Sequence, residues 1–136
     1  MSYYRLYNDE SVNNLHCTNF ALQKLQEKYS TNLVVIGFPA NDFKEQETKD
    51  NENIAAFCKK NYGVSFPLMA KSIVIKKNHQ NEVFKWLSDM TLNGWNHQEP
   101  AWNFCKYLIN ENGTLTHYFP MTVDPIDPAV LEAIEK

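Results

Sequence analysis

The chain alternates between segments with apolar residues at helical spacing and short, nearly continuous apolar runs. Helical spacing is found in FALQKLQEKYS, NIAAFCKKNYG, HQNEVFKWLSDM and DPAVLEAIEK. The apolar runs, which are typical of strands, are NLVVIGFP, SIVIKK, FCKYLI and TLTHYF. The pattern therefore predicts helices alternating with strands, with the first helix over Phe20–Ser30 and the last one capped by Asp127.

This order of elements predicts a mixed sheet. Helices between strands indicate parallel βαβ units, and Asn112-Gly113 suits the turn of an antiparallel hairpin between Phe104–Ile109 and Thr114–Phe119. A run without alternation is covered on both faces, so we expect Leu33–Gly37 to be central. A βαβ unit followed by ββα is the thioredoxin arrangement. The strand that normally precedes its first helix is not evident, and YYRLY is the nearest candidate.

Composition excludes several classes of protein. The length of 136 residues and the apolar content of 43% fit one domain over residues 1–136. A net charge of −3 predicts no nucleic-acid partner, and no apolar run reaches the roughly 20 residues of a membrane helix. The opening MSYYRLYNDESVNN lacks the apolar core of a secretory signal, so we expect a cytoplasmic location.

Three cysteines carry the candidate chemistry: Cys17, Cys58 and Cys105. An odd number in a cytoplasmic chain argues against a disulfide framework and leaves buried thiols, metal ligation or redox chemistry. No two cysteines have a zinc-type spacing and the histidines are scattered, so we expect no metal site and no other cofactor. Cys105, just inside a predicted strand, is expected to be a core thiol.

Three separated motifs resemble the thiol-dependent glutathione peroxidase family: VVIGFPANDFKEQE, IAAFCKKNYGVSFPLMAK and PAWNFCKYLINENGTLTHYF. The match runs in one register from about Phe20 to the C-terminus. The resemblance implies an α/β, thioredoxin-like fold with a mixed central sheet flanked by helices. It also implies cysteine-dependent reduction of hydrogen peroxide or of organic and lipid hydroperoxides in antioxidant defence.

The resemblance implies roles for Gln46, Trp102 and Asn103 around the reactive cysteine. A thiol with a reference pKa of about 8.5 is mostly protonated at neutral pH, and only the thiolate attacks a peroxide. Amide and indole N–H groups directed at the sulfur stabilise the anion. Each of these residues, taken alone, is also compatible with a structural role in the core, a turn or a loop.

The nucleophile segment departs from the family pattern. In SVNNLHCTNF, Val12-Asn13 and Cys17 resemble remains of the motif, but Thr18 replaces the usual glycine. Cys17 is the candidate nucleophile, and the alternative is an inert thiol near a helix start. Cys58 occupies the family position of a resolving cysteine, which attacks the oxidised nucleophile to form a disulfide. Its alternative is an ordinary residue on the apolar face of a helix.

The resemblance also bears on partners. Tetrameric relatives carry a longer insert before the Trp-Asn motif and basic residues that hold glutathione. The corresponding DMTLNGWNHQEPA is short and has no arginine, so we expect a monomer or small homo-oligomer. Thioredoxin is then favoured over glutathione as reductant. The alternative function is a degenerate, non-catalytic thioredoxin-fold protein that acts as a binding partner or redox sensor.

Overall fold

The computed structural model describes part of the chain in detail. Backbone structure is described for residues 2–4, 13–38, 40, 65–101 and 105–135, and side chains for 21–38, 40, 65–101 and 105–135. The strands are β1 (Ser2–Tyr4), β2 (Val35–Gly37), β3 (Lys106–Ile109) and β4 (Leu115–Phe119). The helices are α1 (Asn13–Lys28), α2 (Glu82–Ser88), α3 (Met90–Asn93) and α4 (Pro128–Glu135). The helix predicted in NIAAFCKKNYG lies outside the described residues.

The strands form a mixed sheet in the order β2-β1-β3-β4. β1 is parallel to β2 and antiparallel to β3, and β3 and β4 form the predicted hairpin. Among the described strands β2 is the outermost, so the prediction that Leu33–Gly37 is central is wrong. Tyr3 of β1 is paired with both Ile36 and Tyr107. Within YYRLY, the observed strand includes both tyrosines and begins one residue earlier, at Ser2.

Residues 67–69 pair with the end of β2 on the side away from β1. The N–H of Gly37 donates to the carbonyl of Pro67 at 2.9 Å, and the N–H of Met69 donates to the carbonyl of Gly37 at 2.8 Å. Val34, just before the strand, is 44% exposed, whereas Val35 is fully buried. The apolar run therefore lies beside the centre of the sheet, and among the described residues a bridge between Gly37 and Leu68 covers part of its far side.

Helix α1 begins earlier than predicted, at Asn13 instead of Phe20, and so includes Cys17. Leu15 precedes the buried Leu22 by one seven-residue repeat, so the helical apolar spacing continues into this segment. At the other end, the Gln26 amide donates to the Leu33 carbonyl and its oxygen accepts the N–H of Val35, both at 2.7 Å. These bonds hold the end of α1 against the start of β2.

The strand predicted at SIVIKK is wrong. Within this run the structure contains only an isolated bridge between Ile73 and Gln80. The Ile73 carbonyl accepts from the N–H of Asn81 at 2.7 Å, because the chain folds back through a turn in which His79 has a φ of 66°. Val74 is fully buried, so the apolar run contributes to the core without joining the sheet.

Two apolar clusters cover the two faces of the sheet. On one face, α1 and α4 pack against β2 and β3 through Leu22, Leu25, Tyr29, Val35, Leu108 and Val130. On the other face, α2 packs against the hairpin through Phe84, Leu87, Cys105, Tyr107, Ile109 and Leu115. Tyr107 and Leu108 therefore point to opposite faces, as neighbours on a strand do.

Side-chain caps and turns confirm two of the local predictions. The Asp127 carboxylate accepts the N–H of Ala129 at 2.9 Å, so it caps α4 as predicted. In the hairpin, Gly113 has a φ of 80°, and the Asn110 side chain accepts the N–H of Thr114 at 3.0 Å. The glycine supplies a backbone conformation that L-residues adopt at a cost.

Candidate functional site

One end of the sheet brings together the ends of three strands. Tyr4, the last residue of β1, is paired with Gly37, the last residue of β2, and with Lys106, the first residue of β3. The carboxyl ends of the two parallel strands and the amino end of β3 therefore lie side by side. In open α/β sheets, ligands bind outside the carboxyl ends of the strands. We refer to this edge as the Tyr4 end of the sheet.

Two of the predicted site segments are continuous with the Tyr4 end. The segment that contains Gln46 follows β2 in the sequence, and Trp102 and Asn103 precede, by one intervening residue, the described segment that starts at Cys105. Gln46, Trp102 and Asn103 themselves lie outside the described residues, as does Cys58. Their roles therefore stay predictions.

The backbone of Cys17 lies in α1, while its side chain is outside the described part of the chain. Gln26 fixes α1 beside the start of β2, and a crossover helix runs opposite to its parallel strands. Cys17 precedes Gln26 by nine residues, or about 13 Å of helix, whereas Val35 to Gly37 advances only about 7 Å. The turn that carries Cys17 therefore extends beyond Gly37 at the Tyr4 end.

The segment that leads into Trp102 is held by hydrogen bonds, one of them fully buried. The Asn96 amide donates to the carbonyls of Leu87 at 2.8 Å and Gln98 at 3.2 Å. The Tyr107 hydroxyl donates to the Gln98 carbonyl at 2.8 Å, and the Glu99 carboxylate accepts the N–H of Lys76 at 2.5 Å. These bonds tie residues 96–99 to α2, to β3 and to the 76–80 turn, and so fix the approach to the Trp-Asn pair.

Replacement of Asn96 by alanine is expected to lower the free energy of unfolding by about 1–3 kcal/mol. Asn96 is only 4% exposed, and its loss leaves the Leu87 carbonyl without this donor at the end of α2. Urea unfolding followed by circular dichroism measures the change. Asn78→Ala is the matched control, because Asn78 is exposed, and it should stay within about 0.5 kcal/mol of the parent. Equal stability of the two variants would contradict the bracing role of Asn96.

Lys106 is a residue that the sequence reasoning missed. Its side chain is only 1% exposed, although it carries an amine. Burial lowers the pKa of Lys106 to about 8, an effect partly offset by the Cys105 thiol and the Asp124 carboxylate. The available signal was a single lysine within the apolar run FCKYLI. A strand buried on both faces encloses even its polar side chains.

Cys105 is a core thiol, as predicted. It is 2% exposed and belongs to the cluster on the α2 face of the sheet. The Tyr118 hydroxyl donates to its sulfur at 3.5 Å. A thiol enclosed in this way is sterically protected from a peroxide in solution.

The described part of the chain has a cavity but no cluster of metal ligands and no membrane-spanning helix. A cavity of about 560 Å³ is located at the opposite end of the sheet, between the hairpin turn at Asn110 and the end of α4 at Glu135. Among the described residues, no group of three or more His, Cys, Asp or Glu side chains is placed to hold a metal ion. Within the same part of the chain, no helix has the length and apolarity needed to span a bilayer.

The fold is thioredoxin-like, as the resemblance implied, and it is shared with solved glutathione peroxidase structures. GPX1 of T. cruzi superimposes with a TM-score of 0.66, at 17% sequence identity, over 97% of this chain and 76% of that one. At this identity the likeness establishes the fold alone. It places the chain in the class of α/β proteins with a mixed sheet flanked by helices.

Sequence comparison identifies the family. Residues 11–88 match the family described as glutathione peroxidase. The glutathione peroxidase homolog BsaA of Halalkalibacterium halodurans is 37% identical over 106 residues, covering 77% of this chain and 66% of that protein. The glutathione peroxidase-like peroxiredoxin 2 of Saccharomyces cerevisiae is 34% identical over 105 residues, covering 76% and 64%. The chain belongs to the glutathione peroxidase family, and it spans slightly less than two thirds of the length of these relatives.

Proposed function

We propose that the protein is a cysteine-dependent peroxidase that reduces hydrogen peroxide or organic and lipid hydroperoxides in antioxidant defence. Family membership supports the reaction class. The single structural observation that carries the proposal is the pairing of Tyr4 with both Gly37 and Lys106. Because of this pairing, the segments leading to Gln46 and to the Trp-Asn pair leave the sheet at the end where the Cys17 turn lies.

In the proposed first step, the Cys17 thiolate attacks one oxygen of the peroxide and the O–O bond breaks. The sulfur becomes a sulfenic acid, and the leaving alkoxide or hydroxide takes up a proton to give an alcohol or water. Side-chain N–H groups of Gln46, Trp102 and Asn103 stabilise the thiolate and the leaving oxygen. The first turn of α1, which directly precedes Cys17, adds a favourable partial positive charge.

In the proposed second step, the Cys58 thiol attacks the sulfenic sulfur, which forms a disulfide and releases water. A dithiol protein of the thioredoxin type then reduces this disulfide and is itself oxidised. Glutathione is the alternative reductant. The proposal treats residues 1–136 as one domain that acts as a monomer or small homo-oligomer in the cytoplasm.

Counting thiols tests the proposed function. With a slight excess of peroxide and no reductant, each chain is expected to lose two of its three thiols and to gain one disulfide, leaving Cys105 reduced. With thioredoxin, its reductase and NADPH present, many equivalents of peroxide should then be consumed. A non-catalytic redox sensor would be oxidised once and consume no more than one or two equivalents per chain.

A further inference from the structure

We infer that Lys106 is a positioning residue for the proposed nucleophile, holding a buried positive charge that stabilises the Cys17 thiolate. It acts on the thiol and does not contact the peroxide. This inference rests on the proposed function and adds to it a residue outside the Gln, Trp and Asn set. Three observations on the described residues support it: the face of the sheet, the end of the sheet and the state of the charge.

The first observation is the face on which Lys106 lies. Its register partner on β4 is Phe119, and Leu108 follows two residues later on the same strand. Leu108 belongs to the cluster that contains α1, and Phe119 packs against that cluster. Directly paired residues and residues two apart share a face of a sheet. The Lys106 side chain therefore lies on the α1 face, opposite Cys105 and Tyr107.

The second observation is the end of the sheet at which Lys106 lies. Lys106 is paired with Tyr4, so it stands at the end reached by the N-terminal half of α1. The contacts of Gln26 place the other half of α1 at the start of β2. The buried lysine and the helical turn that carries Cys17 thus share both the same face and the same end of the sheet.

The third observation is the state of the charge. With a pKa of about 8, the Lys106 amine remains mainly protonated at pH 7. The Asp124 carboxylate, from the loop after β4, favours this charged form. Field lines from a buried cation are weakly screened by solvent, and an opposite charge within about 4–6 Å shifts a pKa by 1–3 units. A thiol near this ammonium is therefore expected to ionise more readily.

The test measures the pKa of Cys17 in the full chain. The pH dependence of iodoacetamide alkylation, resolved by peptide mass spectrometry, gives the pKa of each cysteine separately. Lys106→Met, which keeps the length but removes the charge, is expected to raise the pKa of Cys17 by about one unit. Alkylation of Cys17 at pH 6.5 should then fall about tenfold, with no loss above pH 10. Lys106→Arg should restore most of the shift.

The matched control is Lys85→Met, which removes an exposed lysine on α2 and should leave the Cys17 pKa unchanged. An unchanged Cys17 pKa in folded Lys106→Met would overturn the inference. If Lys106→Met does not fold, the Cys17 pKa is measured in the parent protein alone. A value of about 8.5 or higher would overturn the inference, because the Cys17 thiolate would then not be stabilised. A low Cys17 pKa without peroxide turnover refutes the peroxidase function instead, so the two failures are distinguishable.

Discussion

Replacement of Cys17 by serine is expected to abolish peroxide reduction, with a rate loss on the order of 10³-fold or more. A serine hydroxyl is not appreciably ionised at neutral pH, and it cannot accept oxygen to form a sulfenic acid. The remaining N–H donors would still bind peroxide, but nothing would attack it. Peroxide consumption with a thioredoxin system, measured by NADPH oxidation, gives the rate.

The matched control for Cys17→Ser is Cys105→Ala. Cys105 is buried on the α2 face, so its loss should leave peroxide turnover within about twofold and lower stability only modestly. Normal turnover in Cys17→Ser would show that the nucleophile lies elsewhere. The N-terminal half of α1 would then have only the structural role that the inert-thiol alternative assigns to it.

Replacement of Cys58 by serine is expected to abolish turnover with thioredoxin while leaving the first oxidation intact. Without a resolving thiol, the sulfenic acid on Cys17 persists and can be over-oxidised to sulfinic acid. Stopped-flow mixing with peroxide should show an unchanged first step, and peptide mapping should show no Cys17–Cys58 disulfide. Steady-state turnover should fall by about 10² or more, because thioredoxin reduces the disulfide in the proposed cycle and the variant cannot form that disulfide.

Turnover at the normal rate in Cys58→Ser would refute the resolving role and return Cys58 to the status of an ordinary helix residue.

The reductant is decided in the same assay. The parent protein should turn over faster with thioredoxin than with glutathione at matched thiol concentration. The reverse order would favour a route in which glutathione attacks the sulfenic acid directly.

The fold was predictable where its signals are local. The hairpin was predicted from apolar runs around Asn112-Gly113, and the structure confirms it through the positive φ of Gly113 and the turn contacts of Asn110. The position of β2 was not predictable in the same way. A three-residue strand such as β1 contains little pattern, and only tertiary pairing places it inside the sheet. Burial of Val74 shows why SIVIKK resembled a strand without being one.

The candidate site was predictable only as far as family motifs reach. The resemblance supplied Gln46, Trp102, Asn103 and the two redox cysteines as expectations. It could not reveal Asn96, because an asparagine in a turn-rich segment looks like any other turn residue until its burial is known. Lys106 was hidden for a related reason. Its charge appears incompatible with burial until both faces of β3 are seen to be covered.

The central position of β1 has a consequence for how the molecule folds. Tyr3 is paired with Tyr107, so two neighbouring strands at the middle of the sheet are joined by about a hundred residues of intervening chain. Such a pairing requires closure of a very long loop, which slows the search for the native state. Until β3 has emerged from the ribosome, one side of β1 is unpaired. An unpaired strand edge can bind strands of other chains. Aggregation during synthesis is therefore expected to depend on how quickly the last third of the chain emerges.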